Sequence, residues 1–273
     1  MKHDLRPSLS SFVVLLAALG LTQSAESLPA AAAAKMPIEF ATGARFCGSG
    51  VKTLVSGAKA LTHIVKPPMD ELQEVLAQMN QAAEKFNSAQ GEFEYKIYQK
   101  VVEDMFVQKG NIYFRRTRKG VDAALRFISP DDKQVVFKDG KLRMYEPKIN
   151  QITEPDVSKN KASVESFLSL GFGARGDDLL KDYDVKMEGW ENIDGVRTAK
   201  LALVAKNEKL RNTYNKIVLW IDPVRDVSLQ QQFFESAGNY RLTHYTNLKI
   251  NGRLPSDAFN IDMSTHPKTV HPQ

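Results

Sequence analysis

Only one of the 273 residues is a cysteine, and only five are histidines. A lone Cys47 excludes an internal disulfide framework. His3, His63, His244, His266 and His271 are scattered, and no two form an H-x-x-x-H pair. With no paired cysteines and no G-x-S-x-G, the usual signatures of zinc sites and acyl transfer are missing. Long apolar runs are also lacking. The single candidate, Phe12–Leu21, is too short to cross a bilayer. A strong charge bias is missing as well. The net charge of +5 is concentrated at the start, because residues 1–68 hold seven Lys/Arg and three Asp/Glu, which leaves 30 against 29 in the rest. The body of the chain is therefore not built to hold a polyanion, and no nucleic-acid partner is expected. The one dense basic run, Arg115–Lys119, reads as a solvated hairpin tip.

The beginning of the chain has its own pattern. Lys2 and Arg6 precede the apolar run, and small and polar residues follow it. That order predicts a secretory signal peptide over residues 1–25, with an N-terminal anchor as the alternative. The residues before Cys47, Ala-Arg-Phe, do not form a lipobox. Residues 26–68 are Ala-rich and then irregular, ending in Pro67-Pro68. A weak helical stripe from Val51 to Val65 leaves three readings open: a linker, a packed extra helix or an interfacial segment.

After the prolines the periodicity sharpens. Leu72, Val75, Leu76, Met79, Ala83 and Phe86 recur at helical spacing, with Asp70 as the expected cap and Gly91 as the expected stop. Period-two alternation then predicts strands at 92–102, 110–116, 123–129, 134–138, 142–145 and 151–153. Asp139-Gly140 is placed as a two-residue hairpin turn. Helical stretches at 163–170 and 177–183 interrupt the strands, which resume at 185–190, 196–206, 216–222, 227–235 and 240–250. A last piece is expected near 259–261. The fold class is α+β: a long helix, a large antiparallel meander and a small helical insert, in one domain over residues 69–265 with a tail at 266–273.

Gly171–Gly176, "GFGARG", fits the G-x-G-x-x-G dinucleotide fingerprint, but its setting does not. A helical pattern precedes it, and Asp177 and Asp178 would repel a pyrophosphate. It reads instead as a glycine hinge, and no cofactor is expected. Turn-like carboxylates such as Asp131-Asp132 give no acid–base pair, so an enzyme is not expected. What remains is apolar surface on the strands. Ile112 with Phe114, Leu125 with Phe127, Val135 with Phe137, Leu142 with Met144, and Leu219 with Ile221 share a parity within each strand. Val164, Phe167, Leu168, Leu170 and Phe172 form an apolar helix beside the glycine hinge. Periodicity alone leaves two readings, a solid core or a ligand cavity.

The stretch "GNIYFRR…LRFISPDDKQVVFKDGKLRMYEPKINQIT", with Gly110, Arg115, Arg116, Pro130, Asp139, Gly140, Tyr145, Pro147 and Gln151 in order, resembles the LolA family of periplasmic lipoprotein carriers. The later "WIDP…LQQQFFESAGNYRLTHYTNLKIN…LPSDAF" resembles its second half. The resemblance covers about Leu72 to Phe259 and implies an unclosed antiparallel β-barrel whose concave apolar face is covered by helices. It further implies a periplasmic monomer that binds lipoprotein acyl chains, taking them from an inner-membrane donor complex to an outer-membrane acceptor. The ligand-facing candidates are then Ile112, Phe114, Leu125, Phe127, Phe137, Leu142, Met144, Phe167, Leu168 and Phe172. Arg116 matches the family arginine that latches the lid. Two departures stand out: Thr117 replaces the usual Pro and "RKG" lengthens the turn, and residues 31–68 have no counterpart. The alternatives are a periplasmic lipid- or lipoprotein-sensing regulator of the same fold and an exported hydrolase.

Overall fold

The computed structural model describes residues 70–272. The expected signal peptide, the 26–68 extension, Cys47 and His63 lie outside the described residues. Helix α1 spans Glu71–Lys85 and buries Val75, Leu76, Met79 and Ala83 on one stripe. Asp70 is the cap residue but makes no side-chain cap bond; Glu71 and Glu74 supply the negative charge that a helix start favours. The helix stops six residues before Gly91. Phe86 is already extended, and the Asn251 side chain accepts from the Asn87 and Ser88 N–H groups at 2.7 and 3.2 Å. Those bonds draw the chain into the sheet, so Gly91 becomes a mid-strand residue. A Cβ there would stand 2.8 Å from the Thr246 carbonyl oxygen.

Strands β1 (Ser88–Gln99), β2 (Asp104–Thr117), β3 (Gly120–Ser129), β4 (Lys133–Lys138), β5 (Lys141–Glu146) and β6 (Gln151–Thr153) form the first half. Helices α2 (Lys161–Ser169) and α3 (Gly176–Asp182) follow. Then come β7 (Tyr183–Ile193), β8 (Val196–Ala205), a short α4 (Glu208–Thr213), β9 (Lys216–Asp222), β10 (Val227–Phe234), β11 (Tyr240–Ile250) and β12 (Lys268–Val270). They make one twelve-stranded sheet in the order β12-β6-β5-β4-β3-β2-β1-β11-β10-β9-β8-β7. β7 and β12 are its two edges and do not pair with each other, so the barrel is unclosed. Every neighbour pair is antiparallel except β12 with β6.

The turns follow side-chain rules. Asp139-Gly140 and Asp194-Gly195 both have positive φ at each position, the backbone that a tight hairpin requires. Thr117 pairs with Gly120, so "RKG" closes a tight turn rather than lengthening it. The end of the chain departs from its sequence pattern in two places. Residues 259–261 form no strand; Phe259 instead packs with Ala124, Val136 and Ala258 on the other side of the sheet, under the Arg115 guanidinium. Residues 268–270, read as tail, pair with β6 and cover its outer edge, where bare strand groups would invite misassociation.

The concave face divides into two. Over β7–β10 the α1 stripe packs on Leu201, Leu203, Ile217, Leu219 and Ile221 and makes a filled core. Over β1–β5 the apolar rows meet Val164, Phe167, Leu168 and Phe172.

Candidate functional site

Register explains why the site forms over the first half. Across the sheet, Ala89, Phe114, Ala123, Phe137 and Leu142 stand in one transverse row. Ile112, Leu125, Val135 and Met144 make the next row, and Phe93, Gly110 and Phe127 a third. Since side chains alternate along each strand, all of these face the same way. β11 would leave this register but for a bulge: Phe93 pairs with Tyr245, yet Ala89 pairs with Ile250. The extra residue is taken up at Asn247, which has φ 53. The single parity that the sequence shows for residues 240–250 is therefore broken. Arg241, Thr243 and Tyr245 face inward before the bulge, and Leu248 and Ile250 after it.

Between these rows and α2 lies a cavity of about 150 Å³. Ile112, Phe114, Leu125, Phe127, Phe167, Leu168 and Phe172 line it. Phe137 and Leu142 line a lobe of about 30 Å³ that shares Leu125, Phe167 and Leu168 with the main cavity. Met144 lies in the surrounding core and lines neither. The apolar rows thus form a packed core around a cavity. The opposite wall, from β1, β10 and β11, is more polar and was missed as part of the site. It includes Tyr95, Gln231, Arg241, Thr243 and Tyr245. The strict alternation in "EFEYKIY" was a readable signal for Phe93 and Tyr95. Gln231 and Arg241 gave none, because a polar inward residue looks like a solvated one.

Each of these buried polar groups has a partner. Arg241, 7% exposed, donates its Nε to Glu235 at 2.7 Å and an Nη1 hydrogen to the Tyr95 hydroxyl at 3.0 Å. Gln231 accepts from the Tyr245 hydroxyl at 3.3 Å and donates to the Leu170 carbonyl at 2.9 Å.

Leu170 begins the segment between α2 and α3 that roofs the cavity. Phe172 projects from it between Phe114, stacked at 6.0 Å, and Tyr245, edge-on at 5.1 Å. The segment is held like a short added strand. Ser228 N–H donates to Gly171 O at 2.7 Å, and Gly173 N–H donates to Asp226 O at 2.9 Å. Gly171 and Gly173 both have positive φ, which glycine adopts without strain. From the other side, Arg116 donates to the Gly173 carbonyl, and to the Ala83 carbonyl at 2.6 Å. Its guanidinium also lies 5.6 Å from the Phe86 ring centre. Arg116 therefore ties the roof to the end of α1. Burial lowers its pKa from the ordinary value, while the Asp226 charge opposes that shift.

Strand order and register thus define an unclosed half-barrel with a roofed apolar cavity. Residues 122–269 match the model of a family described only as uncharacterized-protein-like. That match covers more than half of the chain, and the chain belongs to this family. No curated protein matches the sequence. Among solved structures, MucB in its complex with MucA from Pseudomonas aeruginosa is similar at 16% identity, with a TM-score of 0.47. The match covers 71% of this chain and 62% of that one, so the chain spans less than two thirds of MucB. An uncharacterized conserved protein from Thermus thermophilus is similar at 11% identity over 74% of this chain and 100% of that one, with a TM-score of 0.47. A LolA superfamily protein from Nitrosomonas europaea is similar at 13% identity over 70% and 97%, with a TM-score of 0.36.

Proposed function

We propose that this protein is a periplasmic, non-enzymatic carrier that binds lipoprotein acyl chains in the roofed cavity and moves them toward the outer membrane. The observation that carries this reading is the roof. Residues 170–173 close an apolar cavity through a few hydrogen bonds, beside glycines free to re-aim the chain. Each acyl methylene left in water costs roughly 0.8 kcal/mol, so cargo crossing an aqueous space needs cover. The cavity of about 150 Å³ is small beside the roughly 300–1,000 Å³ of ordinary ligand clefts. The roof is thus closed over a space too small for an acyl cargo, and loading requires it to lift. Arg116 serves as the latch, and Ile112, Phe114, Leu125, Phe127, Phe137, Leu142, Phe167, Leu168 and Phe172 meet the chains. Met144 supports them from behind.

The test is mass spectrometry of lipid that co-purifies with the protein from the periplasm, followed by timed transfer of a labelled lipoprotein to outer-membrane acceptors. Acylated lipoprotein recovered and transferred supports the carrier. Acyl ligand held without transfer supports a lipid-sensing regulator of the same fold. Empty protein that turns over an ester overturns both.

A further inference from the structure

Asp226 lines no part of the cavity, yet it touches the roof. It is 1% exposed, with φ 54, between β9 and β10. Its main-chain carbonyl accepts the Gly173 N–H, while Arg116 donates to the Gly173 carbonyl. One roof residue thus lies between an acid and a base. Among the described residues, the Oδ2 of Asp226 is buried with no hydrogen-bond partner. An ionised carboxylate only accepts, and leaving one unpaired in the interior is costly. While the roof is down, the guanidinium that could satisfy it is engaged with the Gly173 and Ala83 carbonyls.

We propose that Asp226 is the open-state partner of Arg116: when Gly173 lifts away, the guanidinium turns from the roof carbonyl to the Asp226 carboxylate. Closing then breaks an ion pair, and opening forms one.

The charges around the pair fit this exchange. Arg116 comes from β2, and Arg175 and Asp178 act on it from the roof side. Asp222 and Arg225, on the turn that carries Asp226, are already paired with each other at 2.5 Å. In the closed state burial pushes the Asp226 carboxyl up to about 7 from its ordinary 3.8, with Arg116 pulling the other way. Once the carboxyl is solvated or paired, that elevation is lost. The closed form therefore holds the proton more tightly. Its advantage over the open form is full below pH 3.8, declines as pH rises toward about 7, and is level above that. At neutral pH the roof is held down against an acid that favours its release.

The test is hydrogen exchange of the Gly173 amide from pH 4 to 8, corrected for intrinsic rates, in wild type and Asp226→Asn. Asparagine mimics the protonated acid. Wild-type protection is expected to fall with pH by up to about tenfold per unit. Asp226→Asn protection is expected to exceed wild type at pH 8 and to stay flat. The Leu219 amide, buried in mid-sheet, reports whether the fold is intact. A double-mutant cycle with Arg116→Gln at pH 8 then tests the exchange itself. Non-additive opening supports the ion pair, and additive opening overturns it. An Asp226→Asn profile that tracks wild type overturns any role for the acid. The proposal rests on residues 170–173 moving as a lid, not on the cargo; the exchange needs no lipid, so the carrier reading stands or falls separately.

Discussion

The ring of Phe86 occupies the place that a side chain on Gly173 would take: a Cβ there would stand 2.3 Å from the ring Cδ1. Gly173 also has φ +71. Gly173→Ala is therefore expected to lose about 1–3 kcal/mol, from left-handed backbone strain and from overpacking together. Gly195, with φ +79 and nothing within 4 Å, supplies the comparison, since alanine there meets the backbone strain alone. Urea midpoints for the two variants measure the difference. Equal midpoints would show that Phe86 yields without cost.

Leu125 sits between Ile112 and Val135 on the concave face and borders both the cavity and its lobe. Leu125→Glu is expected to abolish binding of a fluorescent acyl probe while the circular dichroism spectrum keeps its sheet signal. A carboxylate in that wall faces the approaching chain with a charge that it cannot solvate. Unchanged probe affinity would remove the first-half cavity from the function.

Arg116→Leu removes the donors to Gly173 and Ala83. Losing a charged hydrogen bond costs about 1.5–3 kcal/mol, enough to move a lid equilibrium tenfold or more. Cargo uptake is expected to persist and release to slow, because leucine adds apolar surface that favours the filled state. Transfer to outer-membrane acceptors, timed beside wild type, measures it. Equal transfer times would show that this guanidinium is not a latch.

Arg241 is buried and its partner Glu235 only partly so, and breaking the pair strands the guanidinium charge. Glu235→Ala is expected to cost about 3–5 kcal/mol, because Arg241 keeps its burial and loses the 2.7 Å carboxylate contact. The readout is chemical denaturation with an unchanged urea slope. A loss below 1 kcal/mol would mean that Tyr95 and Arg241's other neighbours suffice.

Much of this was written in alternation and turn chemistry. Ile112 with Phe114 and Leu125 with Phe127 share parities within their strands, and the sheet keeps those parities on one face because β1 to β5 pair with only one slip, at Lys109/Gly110. Asp139-Gly140 turns as its residue types require. Other features depended on distant contacts. The end of α1 is set by Asn251, far along the chain, and not by a local stop signal. The bulge at Asn247 depends on matching β11 to two neighbours at once. Gln231 faces inward because the Leu170 carbonyl is there to accept from it. Asp226 resembles any turn aspartate until Gly173 closes over it.

The segment that roofs the cavity is also part of the connection from β6 to β7, and those strands lie far apart in the sheet order, one next to the β12 edge and the other at the opposite edge. It is therefore a chord drawn across an arc, anchored at both ends by strands that belong to the arc itself. Flattening the sheet separates the anchors and takes up slack from residues 170–176, lowering the chord onto whatever lies beneath. Tightening the curl returns that slack and lets the chord bow outward. The height of the roof over the cavity is thus tied to the curvature of twelve strands as well as to any single contact beneath it.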